Sequence, residues 1–305
     1  MKLEQLAQDP RVTVRRAGSP DSAGSAVVYW MQRTQRAADN PALSVAIKAA
    51  NILKKPVVVF FQLVPRSHHA NLRHYQFLVE GLRDIAEGLK KRSVGFVIRR
   101  YPKHGIVHFC ASVSPCLVIG DENPMLEAEH TKAKVVKRLR LPFWTVDADV
   151  IVPSRLLGKE HYAARTIRPK IHAQLRRFLT PIENVTAAVS WKPSSHLHSL
   201  NPESPLLKGF PVDSSVGPVS GFRGGSMEAL KALDRFIRSR LKGYAKNRNH
   251  PELEATSQLS PYLHFGHIGP HTVALAAQRS RAPLQDRKAF LEELIVRREL
   301  AVNFV

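Results

Sequence analysis

Two stretches of this chain carry side chains that could do chemistry together. Residues 244–268 read YAKNRNHPELEATSQLSPYLHFGHI, and residues 291–304 read LEELIVRRELAVNF. In the first, Thr256, Ser257 and Ser260 stand just before a helical pattern. Hydroxyls and backbone N–H groups at a helix start form a ready anion site. Tyr244, Arg248 and Asn249 lie a short loop upstream and add an aromatic ring and a cation. The same hydroxyls would also serve as a plain capped helix start. In the second stretch Glu293 and Arg297 share a helical face, as do Leu294 and Arg298. Such a face can be a row of exposed ion pairs. It can equally be the polar floor of a cleft, where Glu293 exchanges a hydrogen bond with a substrate carbonyl and an arginine meets phosphate.

Other chemistries lack their parts. There is no G-x-G-x-x-G, no P-loop and no G-x-S-x-G, which removes a nicotinamide dehydrogenase, an NTPase and an α/β-hydrolase. His68 and His69 have no partners at metal-ligand spacing, so no metal is expected. Cys110 and Cys116 are the only cysteines and read as free thiols in a reducing compartment. The 305 residues hold 46 Lys and Arg against 25 Asp and Glu, a formal net charge of +21. An excess of this size points to a polyanionic partner, nucleic acid before an anionic membrane surface. No apolar stretch is long enough to span a bilayer, and MKLEQLAQDPRV has no apolar signal region. A cytoplasmic, monomeric, nucleic-acid-handling protein is expected.

The elements that must position these residues follow from hydrophobic pattern. Hydrophobic content of 44% supports a sizeable core, and the length suits two domains. Residues 1–21 are polar and predict irregular structure. From Ser25 strands and helices alternate. AVVYW, PVVVFFQL, VGFVIR, CLVIG and FWTVDA read as strands, and residues 41–55, 72–92 and 125–140 as helices. The continuous apolar run of residues 56–63 suits a central parallel strand covered on both faces. The fold class is therefore α/β, a Rossmann-like doubly wound parallel sheet over residues 22–155. Residues 156–225 read as a long connector with a few short helices, in which the RPK step breaks any helix. Residues 226–305 become all-helical: 227–241 with Ser226 as N-cap, then 268–278 and 286–304. The segment YWMQRTQRAADNPAL, residues 29–43, reads as structural rather than catalytic.

Taken together, VVYWMQRTQRAADNPAL, HYAARTIRPKIH (161–172), GGSMEALKAL (224–233), YAKNRNHP (244–251), TSQLSPYLHFGHI (256–268) and EELIVRREL (292–300) resemble the photolyase/cryptochrome family. Within it they resemble the class II cyclobutane pyrimidine dimer photolyases. The resemblance implies an α/β antenna domain, a connector and a helical flavin domain, in that order. It implies light-driven repair of UV-damaged DNA: reduced FAD, as FADH⁻, passes an electron to a pyrimidine dimer flipped from the duplex, and the ring opens. By motif, Tyr244, Arg248 and the run Thr256, Ser257, Gln258, Leu259 and Ser260 resemble the family's flavin contacts, with the hydroxyls near the diphosphate. Glu293 resembles the acid that contacts the dimer and stabilises negative charge on a thymine carbonyl. Arg297 and Arg298 would flank the lesion and its phosphates. A second antenna chromophore of unknown identity is left open.

The sequence departs from the family in three places. Val302 stands where class II members usually carry an acid, and TQR replaces a more usual DQR. Family members also continue well beyond Val305, so the sequence reads as a fragment. Trp30, Trp144 and Trp191 all precede the flavin domain and cannot stand in for the family's photoreducing tryptophans. Two other readings compete: a cryptochrome-like blue-light sensor without repair, and a non-catalytic DNA-binding α/β protein. Glu293 beside basic residues favours repair.

Overall fold

A computed structural model describes residues 2–65, 70–102 and 105–305; His68 and His69 lie outside the described residues. Strands β2 (Val27–Met31), β3 (Val57–Leu63), β4 (Gly95–Arg100), β5 (Leu117–Asp121) and β6 (Phe143–Val146) run parallel. Strand β1 (Val12–Arg16) adds antiparallel to β6, and the order across the sheet is β1-β6-β5-β2-β3-β4. Side chains alternate between two cores. Val27, Tyr29, Met31, Val57, Val59 and Phe61 pack under α2 (Pro41–Leu53) and α3 (Leu72–Lys90), with Leu6 of α1 (Leu3–Ala7). Val28, Trp30, Val58 and Phe60 face α4 (Ile106–Val113) and α5 (Leu126–Leu139). Both faces are dry, which is why these strands read as unbroken apolar runs. Asn40 starts α2 by accepting the Leu43 N–H at 2.9 Å, with Pro41 in the first turn.

Helix α6 (Ala164–Phe178) leads into a helical half made of α7 (Ser226–Arg235), α8 (Tyr244–Asn247), α9 (Ser260–His264), α10 (Pro270–Arg279), α11 (Leu284–Leu291) and α12 (Arg298–Phe304). Phe236–Arg240 and Glu292–Arg297 are wound as π-helix. Its own core gathers Ile167, Ile171, Phe236, Tyr262, Val273, Phe290 and Ile295. The halves are stitched by buried polar groups. Arg36, 2% exposed, donates to the carbonyls of Asp39, Ala148 and Gly266. Arg11 donates to the carbonyls of Val150 and Ile151 and meets His271 Nε2 at 3.2 Å. Asp39 accepts from the N–H and hydroxyl of Thr272 at 2.9 and 2.7 Å. The segment 29–43 thus forms the joint between the sheet and the helices. Its loop is held by Asp121, which accepts the N–H groups of Gln32, Arg33 and Thr34.

Several expectations are corrected. Residues 1–21 are not irregular: they hold α1 and β1, because Val12 buries fully and β1 finds the free edge of β6. The RPK step does not break a helix; α6 runs through Pro169. Arg165 and Pro169 lie on the exposed face, where water can satisfy the carbonyl that proline leaves unpaired, while Ile167 and Ile171 bury on the other face. Ser226 is not an N-cap but the first helical residue, its hydroxyl donating to the His267 carbonyl at 2.7 Å. Helix 286–304 is interrupted by the π segment. After α6 the connector has little regular structure, and it lies on the α/β half: Ala187, Leu206 and Phe210 join the core beneath α2 and α3.

Candidate functional site

Helix α8 is only one turn long, so its neighbours must place it. Gly243 precedes it at φ +86°, a conformation that favours glycine. Tyr244 buries its ring edge-on against Phe236 and Phe290, with centroids at 5.8 and 5.4 Å. Burial pushes its phenol above the ordinary value. Arg248 ends α8 and meets Glu293 of the π segment, Nη1 to Oε1, at 2.5 Å. That hydrogen bond, donated to the Glu293 carboxylate, holds the Arg248 guanidinium even more firmly charged than usual. Tyr244, Arg248 and Glu293 therefore form one cluster, brought together across two separate motifs.

The other expected residues fall elsewhere. Arg297 is exposed, and Glu293 pairs with Arg248 rather than with Arg297 one turn on. Arg298 turns to the α/β half and pairs with Asp149 at 2.9 Å. Glu292 pairs with Arg168 of α6 at 2.6 Å, and that guanidinium holds its carboxyl below the usual range. Thr256, Ser257, Gln258, Leu259 and Ser260 make the turn into α9. Leu259 is buried, Ser257 Oγ accepts the Leu259 N–H at 3.3 Å, and Thr256, Gln258 and Ser260 are exposed. Gln258 sits at φ +57°. Hydroxyls and a bent backbone therefore face outward in a short span, a donor set suited to phosphate oxygens.

Two cavities escaped the motif reading. One, about 640 Å³, opens at the carboxyl ends of β2 and β3 against α9, lined by Trp30, Arg33, Gln62, His264 and Phe265 among others. It lies beside the point where the strand order reverses, the usual ligand position of an open α/β sheet. Gln35 Oε1 and Gln62 Nε2 are buried there with no hydrogen-bond partner among the described residues. The alternation of strands and helices was the available signal for this site. The second, about 680 Å³, is a largely apolar groove between α6 and the π segment, with Leu175, Leu179, Ile295 and Val296 in its walls. Among the described residues no group of three His, Cys, Asp or Glu side chains could hold a metal ion, and no helix is long and apolar enough to cross a membrane.

Comparison with known proteins gives this geometry its setting. The DNA photolyase family model matches residues 27–187, slightly more than half of the chain. The deoxyribodipyrimidine photo-lyase of Methanothermobacter thermautotrophicus is 38% identical over 288 residues, covering 94% of this chain and 62% of the relative. That of Potorous tridactylus is 36% identical over 290 residues, covering 92% and 53%. Cryptochrome-1 of Gallus gallus is more distant, 26% identical over 262 residues, with 80% of this chain and 41% of the relative covered. Among solved structures, a class III photolyase from Agrobacterium tumefaciens superposes with a TM-score of 0.69 at 20% identity, covering 95% of this chain and 60% of its own. The chain spans between about half and two thirds of the length of the photo-lyases it matches. With the family model covering residues on every strand from β2 to β6 and the fold matching over nearly its whole length, this chain belongs to the DNA photolyase family.

Proposed function

We propose that the protein represented by this chain is a class II deoxyribodipyrimidine photo-lyase that repairs cyclobutane pyrimidine dimers in light, with reduced FAD as cofactor and UV-damaged DNA as substrate. The observation that carries this reading is the Tyr244–Arg248–Glu293 cluster, a buried phenol, a guanidinium and a carboxylate converging from α8 and the π segment. The higher identity to photo-lyases than to cryptochrome-1 supports repair over light sensing.

The residues present fit a flavin nucleotide. The exposed hydroxyls of Thr256 and Ser260 and the bent backbone at Gln258 suit a diphosphate, and Tyr244 with Arg248 suits the aromatic and polar remainder. When bound, a reduced flavin supplies the photoexcited electron that opens the cyclobutane ring. The chain's own residues do the rest. In its protonated form the Glu293 carboxyl donates a hydrogen bond to a thymine carbonyl and stabilises the charge that develops there. Arg248 fixes the Glu293 carboxyl in place and keeps positive charge beside it. Arg297, exposed one turn on, meets the backbone phosphates that position the flipped lesion. Arg298, committed to Asp149, contributes by holding the π segment on the α/β half. The strand-end cavity, with its unpartnered Gln35 and Gln62 amides, suits a second, light-harvesting chromophore.

Absorption of the purified 305-residue chain and a light-dependent dimer assay test this. A flavin band and light-dependent repair are expected, and Glu293→Ala should cut the repair yield about tenfold while flavin is retained. A colourless protein that also fails to take up added flavin, or an unchanged yield in Glu293→Ala, would sink the reading.

A further inference from the structure

Helix α11 and the π segment that follows it carry Asp286, Phe290 and Glu293 at spacings i, i+4 and i+7, one stripe of a helix. Each grips a different part of α8. The buried Asp286 carboxylate accepts the Gly243 N–H through Oδ2 and the Ala245 N–H through Oδ1, both at 2.8 Å. The Phe290 ring meets Tyr244 edge-on. Glu293 closes on Arg248 at the far end.

We propose that Asp286 is a positioning residue for the site: it sets α8 in register against α11, so that Tyr244 and Arg248 arrive opposite Phe290 and Glu293. The functional consequence rests on the flavin and dimer reading above; the positioning itself does not. A four-residue helix has almost no hydrogen bonding of its own to hold it. Two N–H groups that lack helical acceptors are instead satisfied by one carboxylate on another helix. Asparagine could accept one of these bonds but would face the second N–H with its own donor. Helix α8 would then tilt, and the Arg248 guanidinium would leave Glu293.

The test uses the 305-residue chain and the Nε–Hε resonance of Arg248. Glu293→Ala marks the position of the unpaired signal. Asp84→Asn is the control, since Asp84 also accepts a helix-start N–H, that of Met227 on α7, at 2.8 Å. Asp286→Asn should move the Arg248 signal most of the way to the unpaired position, and Asp84→Asn should leave it in place. Asp286→Glu keeps both acceptor oxygens on an arm one methylene longer. It should move the signal in the same direction, and it decides the matter if the asparagine variant does not fold. The preference of the chain for dimer-containing over undamaged duplex should fall about tenfold in Asp286→Asn. An unmoved Arg248 signal, or an equal movement in Asp84→Asn, overturns the proposal. If the signal moves as expected but the unsubstituted chain shows no preference for dimers, the positioning stands and the functional reading falls.

Discussion

Glu292, Glu293 and Glu299 come from one nine-residue motif, yet they meet three different environments. Glu292 faces Arg168, Glu293 faces Arg248, and Glu299 is 2% exposed beneath the Ile151 N–H, which it accepts at 2.6 Å. Burial, against the pull of those backbone donors, pushes the Glu299 carboxyl up to about 8 from an ordinary 4.5. The folded chain therefore binds a proton that the unfolded chain releases across this window. Stability from this group is present at low pH and is lost as pH rises between those values. Burial depresses His267 and His271 to about 3 and 4 from 6.5, and these act in the opposite sense, losing stability as pH falls below 6.5. Comparing variants isolates the glutamate. Glu299→Gln should flatten the loss of thermal stability between pH 5 and 8, a difference of roughly 2–4 kcal/mol at the upper end. Parallel pH profiles for the two proteins would mean that Glu299 ionises normally. A list of acids and bases did not distinguish these carboxylates, because their partners lie 124, 45 and 148 residues away in the chain.

At the scale of elements, the joint between the halves depends on backbones in close approach. Gly266, in the turn after α9, sits at φ +72°, and a Cβ there would stand 1.9 Å from the Arg33 carbonyl oxygen. The loop of residues 32–36 and the LHFGHI turn can touch only because this residue has no side chain. Gly266→Ala should destabilise the chain by at least about 2 kcal/mol, read as a lowered melting temperature, and should weaken the joint that Arg36 closes. A melting temperature within about one degree of the parent would show that the turn relaxes freely. The two motifs that meet here were both legible in the sequence, but their meeting was not. The π segment was equally hidden. A 3.6-residue repeat predicted that Glu293 faces Arg297, and Glu293 pairs instead with Arg248, which the packing of α8 against this segment brings within reach.

At the scale of the molecule, the net charge of +21 is spread along the chain rather than gathered in one run. Helix α6 has no acidic residue and exposes Arg165, Lys170, His172, Arg176 and Arg177. Contacts of this kind release counterions, so the proposed DNA binding should weaken by about a thousandfold between about 50 and 200 mM salt. A titration by fluorescence anisotropy measures this slope, and a nearly flat response would remove DNA phosphate as the reason for the charge.

The α/β half was legible in the sequence because its signals are local. Continuous apolar runs separated by amphipathic stretches specify buried parallel strands and covering helices, and strands β2 to β6 formed within a residue or two of their patterns. The family was legible too, since its motifs are read in order along the chain. Tertiary structure decided what those motifs do to one another. It ran α6 through Pro169, drew β1 onto the sheet edge and turned Arg298 toward Asp149. It also set α8 between Asp286 and Glu293. The physical reason is the same in each case. A hydrogen bond or ion pair is settled by which groups share a dry space, and that depends on how distant segments pack rather than on spacing within either one.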